Sequence, residues 1–445
     1  MNMMTFLCLI PVVCIVLLLG AFIWNKPILL IYCQIFMVCT MRFIYSETPV
    51  PSSIRYLTDV ITIILFFQTF LQMRKNINKT NLRIPLLLCA VFAVSTIVSF
   101  FLSGQSIISY LWGVRVLFRF YVFFFACAIF LRKDDIKRIT NMLFWLLPIN
   151  VLASSFQYFV QGYTFDFNGG LFGMEIGCNA EMNMYLVQLI IFAFAMYLQN
   201  QFTLKKLILV LGMSLYIAAL SELKVLFFEI PLVFLCVALL YKPSKKIISI
   251  AIAGVCSIYM AITLFLVLYP GWSSFFSYDT IMYYLKDSSY AGGETLNRFS
   301  AIQYVHNNLL TDLRMKLFGV GLGNADTSSF FTAAYYEKYQ HLKYNYFGNA
   351  HCLFENGFIG FVIYLAIFVS SGIKSFLMMK KRQINIGYAA TGCITGFFAL
   401  FYGIYNQALR TEVSYLYFFW LAVPFVMYKE MIVENEAEQA AIENV

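Results

Sequence analysis

His351 and Glu355, in the stretch AHCLFENGFIG, stand four residues apart at the start of a long apolar run. Residues at i and i+4 share one face of a helix. A carboxylate there can orient the imidazole, and a histidine at a membrane boundary can serve as a general base near neutral pH. The bland alternative is a plain interface histidine. Arg115 and Arg119, in SYLWGVRVLFRFYVFFF, are also four apart and lie inside an apolar run. An arginine at membrane depth costs at least about 2.5 kcal/mol and normally faces a cavity or a partner. Two guanidinium forks on one face suit an anion, phosphate above all. Snorkelling, or pairing with an acidic residue on another helix, would satisfy them equally.

Other residues carry weaker signals. Glu222, Lys224 and Glu229 in ALSELKVLFFEIPL form either an internal ion pair that fixes helix packing or a group in which Lys224 meets substrate directly. Arg298, in ETLNRFSAIQYV, opens an amphipathic stretch and either reaches a second phosphate or lies on a solvated helix face. Gly319, Gly321 and Gly323 in LFGVGLGNADTSSF permit a tight turn with exposed backbone N–H groups. No strand-turn-helix context surrounds them, so they are not a dinucleotide fingerprint. His306 and His341 have no comparable neighbour. Along the sequence no His, Cys, Asp or Glu group expected on the outer face has metal-ligand spacing, and there is no P-loop.

The elements that must position these side chains are membrane spans. Of 445 residues, 61% are hydrophobic and only 12% charged, about half the charged share of a soluble domain. This excludes a large water-soluble enzyme and a disordered chain. Apolar runs fall at about 5–23, 27–45, 54–72, 84–102, 106–131, 139–161, 183–199, 204–220, 223–241, 247–269, 350–372, 386–406 and 412–428. Each approaches the roughly 20 residues that cross a bilayer as a helix. The expected fold is an all-α polytopic membrane protein of 12 to 13 spans, with residues 1–24 kept as a retained span. The net charge of +9 resides mostly in basic clusters at 74–83, 132–138, 205–206, 242–246 and 374–382, which the positive-inside rule makes cytoplasmic. The expected organisation is an N-terminal bundle over 1–269 with a small outer loop at 162–182, a large outer loop at 270–349, further spans over 350–428, and an acidic cytoplasmic tail at 429–445. An outer loop as long as 270–349 implies a task. Helical spacing over 294–317 and the aromatics Tyr283, Tyr284, Tyr335, Tyr336, Tyr339, Tyr344, Tyr346 and Phe347 suit a lid at the membrane–water interface. The cysteines lie mostly in apolar runs and read as small hydrophobes.

The combination of DFNGGLFG (Asp166–Gly173), LSELK (Leu220–Lys224), NRF (Asn297–Phe299), LFGVGLGN (Leu317–Asn324) and AHCLFENGFIG (Ala350–Gly360) resembles the O-antigen polymerase and O-antigen ligase superfamily, the Wzy/WaaL-like bacterial membrane glycosyltransferases. The chain has Cys352 where that family commonly has Asn, and Lys224 where Arg is commoner. The resemblance implies a GT-C-like helical fold in the bacterial inner membrane. It implies an undecaprenyl-diphosphate-linked glycan as donor and another as acceptor, with a chain-length regulator as a possible partner. The expected activity is metal-independent, inverting polymerisation of O-antigen, capsular or exopolysaccharide repeat units, without a cofactor. Arg115, Arg119, Lys224 and Arg298 would hold the diphosphate, while His351, oriented by Glu355, would deprotonate the acceptor hydroxyl. A ligase that transfers glycan to lipid A–core is the first alternative and a polysaccharide flippase the second. The topology has a direct test: alkaline phosphatase fused within 300–340 is expected to be active, and the same reporter fused within 374–382 inactive. The reverse pattern would refute the orientation.

Overall fold

The structure, a computed structural model, describes residues 26–443 apart from 242–244, 273–276, 287–293 and 329. The expected span at 5–23 lies outside the described residues. Each of the other apolar runs coincides with a helix. In chain order these are α1 (Pro27–Glu47), α2 (Leu57–Thr80), α3 (Arg83–Ser103), α4 (Ile107–Phe130), α5 (Lys133–Phe159), α6 (Cys178–Leu198), α7 (Leu204–Leu220), α8 (Leu226–Leu240) and α9 (Lys245–Leu268). The short helices α10 (Tyr278–Lys286), α11 (Ser300–Tyr304), α12 (Leu313–Phe318) and α13 (Ala334–Tyr339) follow, then α14 (Gly348–Lys380), α15 (Ile386–Tyr405) and α16 (Ser414–Glu443). Among the described residues ten helices are long and apolar enough to cross a membrane, where twelve of the expected spans fall. The shortfall among described residues is α7 and α8, which have 17 and 15 residues. No strand occurs among the described residues beyond a single bridge between Thr327 and Thr332. The chain is an all-α polytopic membrane protein.

Local chemistry sets the helix ends. Pro27 opens α1, where its missing N–H is no loss. Ser106 caps α4 by accepting the Ser109 amide, and Thr203 caps α7 through the Lys206 amide. Gly104 closes α3 in a left-handed conformation.

Helix α6 is almost wholly buried and packs against α7, α8, α15 and α16. Helix α16 packs on α2, α4, α14 and α15 through aromatic contacts. Phe418 stacks on Phe120 with ring centroids 5.9 Å apart, and Tyr415 meets Phe120 and Phe123 edge-on. By contrast α3 and α9 leave large apolar side chains outward, among them Leu87, Val94 and Phe101 on α3 and Ile248, Ile252 and Val255 on α9. Such surfaces fit lipid, not water.

Residues 294–347 form a cap with its own apolar core, built from Leu296, Val305, Leu310, Met315, Leu342 and Phe347 with Leu353 and Phe354 of α14. The helical spacing over 294–317 is realised in pieces. Leu310 leaves helical geometry, and Asp312 starts α12 by accepting the Met315 amide at 2.7 Å. Tyr335, Tyr339 and Tyr344 meet Phe354 edge-on, so these expected lid aromatics serve the cap's core.

The junction of cap and bundle depends on glycine. Inside α14, Gly357 adopts φ 61° and ψ −171°, which breaks the helix. The carbonyls of Phe354 and Glu355 are taken instead by the amides of Val320 and Gly321, at 3.0 and 2.9 Å. A Cβ at Gly357 would lie 2.4 Å from the Gly319 nitrogen. Gly357→Ala is therefore expected to destabilise by roughly 2–3 kcal/mol or more. Gly212→Ala, where a Cβ meets nothing within 4 Å, should leave the melting temperature unchanged or raise it slightly. Thermal unfolding in nanodiscs reads both; equal effects would refute the account of the junction.

Candidate functional site

The break at Gly357 leaves the first part of α14 as a short helix facing the cap, and it carries both His351 and Glu355. His351 is 2% exposed and Glu355 fully buried. His351 Nε2 lies 3.3 Å from Glu355 Oε1, as the i, i+4 spacing predicts. That contact has ion-pair distance without hydrogen-bond alignment, and among the described residues neither ring nitrogen has a hydrogen-bond partner. Tyr344 stacks edge-on against the imidazole at 5.6 Å and anchors itself by donating to the Ala325 carbonyl at 2.6 Å.

Glu355 is bound on both oxygens. Its Oε1 accepts the Gly323 amide at 2.9 Å, and its Oε2 accepts Arg410 Nη2 at 2.8 Å. Arg410 also lies 3.6 Å from Asp326. Two carboxylates thus face one guanidinium, with the His351 imidazole beside them.

Gly319, Gly321 and Gly323 take positive φ and form the expected tight turn, but their N–H groups are not exposed. They donate to the Met315 carbonyl, the Glu355 carbonyl and the Glu355 side chain. A Cβ at Gly323 would lie 2.0 Å from the Ser109 carbonyl of α4. The turn is a clasp between cap, α4 and α14, not an anion cradle.

Arg115 and Arg119 share one face of α4, as expected, and both grip Asp59 in the first turn of α2, at 2.7 and 3.2 Å. Arg119 also reaches Glu412 at 3.4 Å. Glu412 meets Arg42 of α1, which meets Glu181 at 2.8 Å. Both arginines thus pair with acidic residues from other elements, the second of the two readings open to them. Burial alone would raise the Glu412 carboxyl, but Arg119 and Arg42 outweigh it and hold it well below the ordinary value.

Lys224 is paired with Glu222 at 2.6 Å. Burial lowers the Lys224 ammonium, partly offset by Glu222. Arg298 lies close enough to Lys224 to lower it further. Arg298 stacks over Tyr405 at 4.5 Å and donates to its carbonyl. The next residue, Asn406, accepts the Gly348 amide that starts α14, which ties Arg298 to the helix of His351. Glu229 takes no part in the Glu222–Lys224 pair.

Arg410, Asp326, Asp59, Glu412 and Arg42 were not legible as site residues. The one local signal was LRTEV, with Arg410 and Glu412 just ahead of the final apolar run. Folding also creates a set that the linear spacing hides: Asp326, His351 and Glu355 present ligand atoms within 4.8 Å of one another. The three residues have metal-ligand types without metal-ligand spacing along the sequence. Arg410, in contact with both carboxylates, already provides the positive charge.

No protein-family model matches the chain, and no curated protein matches it in sequence.

Breaking one member of a buried ion pair leaves the other charge uncompensated, at a cost of about 3–5 kcal/mol. Arg410→Met and Glu355→Gln are each expected to lower the unfolding temperature strongly, and the double variant should be destabilised by less than the sum of the two. Strict additivity in that cycle would show that the pair does not hold the site together.

Proposed function

We propose that the protein is a membrane glycosyltransferase that polymerises polyprenyl-diphosphate-linked oligosaccharide repeat units, at the outer face of a bacterial inner membrane. The observation that carries this reading is the buried cluster at the junction of cap and bundle. It contains an imidazole with an open nitrogen, a carboxylate beside it and an arginine paired with that carboxylate. The sugar–diphosphate bond is already activated, so the protein needs to position an acceptor hydroxyl, take its proton and stabilise the leaving diphosphate.

In this reading His351 is the base and Glu355 its orienting partner. Arg410 and Asp326 set the charge around them. Lys224 and Arg298 meet the diphosphate: they lie within electrostatic range of each other, and Arg298 is tied through Tyr405 and Asn406 to the start of α14. Arg115 and Arg119, spent on Asp59 and Glu412, act by fixing α4 against α2 and the turn before α16. His351 is nearly inaccessible in this structure, so productive binding requires the cap to shift. Attack on the anomeric carbon from the face opposite the diphosphate gives inversion in a single displacement. A chain-length regulator would act on the same outer face.

A second reading has its own observation. Asp326, His351 and Glu355 have the residue types and closeness of a divalent-metal site. Transfer that is lost in chelator and restored by a divalent cation would favour it over the metal-independent mechanism.

Complementation of a polymer-negative strain tests the assignment. His351→Ala, Lys224→Met and Arg298→Met, each at wild-type membrane level, are expected to cut polymer at least tenfold and to accumulate single lipid-linked repeats. Full-length polymer from His351→Ala would exclude its role as base. Single repeats absent from core in the null strain would point to a ligase, and repeats confined to the inner leaflet to a flippase.

A further inference from the structure

Glu229 is a carboxyl deep in the bundle that the proposed chemistry does not use and that, unlike Glu181, has no cation beside it among the described residues. It sits in the first turn of α8, two residues before Pro231, and is fully buried. Among the described residues no Lys, Arg or His lies within ion-pair distance of it. Among the described residues its carboxyl has one hydrogen bond, from Asn183 Nδ2 of α6, at 2.8 Å, to Oε2. Among the described residues three polar atoms around this contact have no hydrogen-bond partner: Glu229 Oε1, Asn183 Oδ1 on the same amide, and the hydroxyl of Tyr402 on α15, which lies within electrostatic range of Glu229.

The neighbouring elements supply no compensating charge. Lys224 and Glu222, just ahead of α8, are paired with each other. Glu181 on α6 is held by Arg42. The lysines of α7 and α9 stand in their first turns, Lys205, Lys206, Lys245 and Lys246, at the far end of the bundle from Glu229. A carboxylate in such a place, with one neutral donor, is strongly disfavoured. Two unpaired acceptors, Glu229 Oε1 and Asn183 Oδ1, also lack the hydrogen that would satisfy them. A single proton on Oε1 supplies it: the carboxylic acid becomes a donor on one oxygen and stays an acceptor on the other, which complements the donor and acceptor of the Asn183 amide.

We propose that Glu229 is a proton-binding site, a neutral carboxylic acid paired with the Asn183 amide, which locks α8 against α6 and α15. The inference is independent of the glycan-transfer reading. Proton loss would leave an uncompensated charge at the junction of three helices. The first turn of α8 follows Lys224 directly, so the lock also fixes the turn that presents Lys224 and Glu222.

The test is infrared spectroscopy on the full chain in nanodiscs, with Glu229→Gln subtracted from wild type. The expected difference is the carbonyl band of a protonated, hydrogen-bonded carboxylic acid at neutral pH, moved by exchange into D2O. Carboxylate bands in its place would overturn the proposal. So would a protonated-acid band that sodium removes at fixed pH, because that assigns the site to a metal cation. Glu229→Gln preserves the amide-like shape of the protonated acid and is expected to keep the wild-type melting temperature, whereas Glu229→Ala lowers it by several degrees. Equal losses in the two variants would contradict the acid–amide pair.

Discussion

A fully buried carboxylate has to be neutralised and hydrogen-bonded, and Glu355 is the one whose solution organises the end of the bundle where His351 sits. Its ion pair with Arg410 fixes the turn between α15 and α16. Its bond from the Gly323 amide fixes the glycine clasp of the cap. Two residues beyond Arg410 on the same turn, Glu412 joins Arg119 and Arg42, which carries the pairing on to α1, α2 and α4. His351 is placed by this chain of contacts and keeps an open ring nitrogen within it.

The broad architecture was readable because apolar length is a property of contiguous residues. The i, i+4 relations were readable for the same reason: Arg115 with Arg119, and His351 with Glu355, each share a helix face as their spacing requires. The partners were not readable. Asp59 meets Arg115 from α2, Glu412 meets Arg119 from beyond α15, and Asp326 meets Arg410 across the cap. Each pairing depends on tertiary packing, and no local pattern announces it. The glycines show the same division. Their spacing at 319, 321 and 323 marked a tight turn, but the destination of its N–H groups depended on the break at Gly357, which frees the Phe354 and Glu355 carbonyls.

These pairings change how the charges divide the labour. Arginines buried in a bundle invite a ligand-binding reading, yet Arg115 and Arg119 are paired with Asp59 and Glu412 between helices. The proposed transfer then rests on fewer groups: His351 for the proton, Lys224 and Arg298 for the leaving diphosphate, and the cap for access. The low charge content makes such a division necessary, since every charge at membrane depth needs a partner or a task.

The most direct measurement of the central claim is transfer by the purified protein in proteoliposomes, supplied only with a polyprenyl-diphosphate-linked repeat unit and followed by mass spectrometry. The account predicts lipid-linked glycan lengthened by whole repeats, one free polyprenyl diphosphate released per linkage, no need for a nucleoside triphosphate, and loss of both products in a folded His351→Ala variant. A correctly folded wild-type protein that forms no linkage, or a His351→Ala variant as fast as wild type, would contradict it.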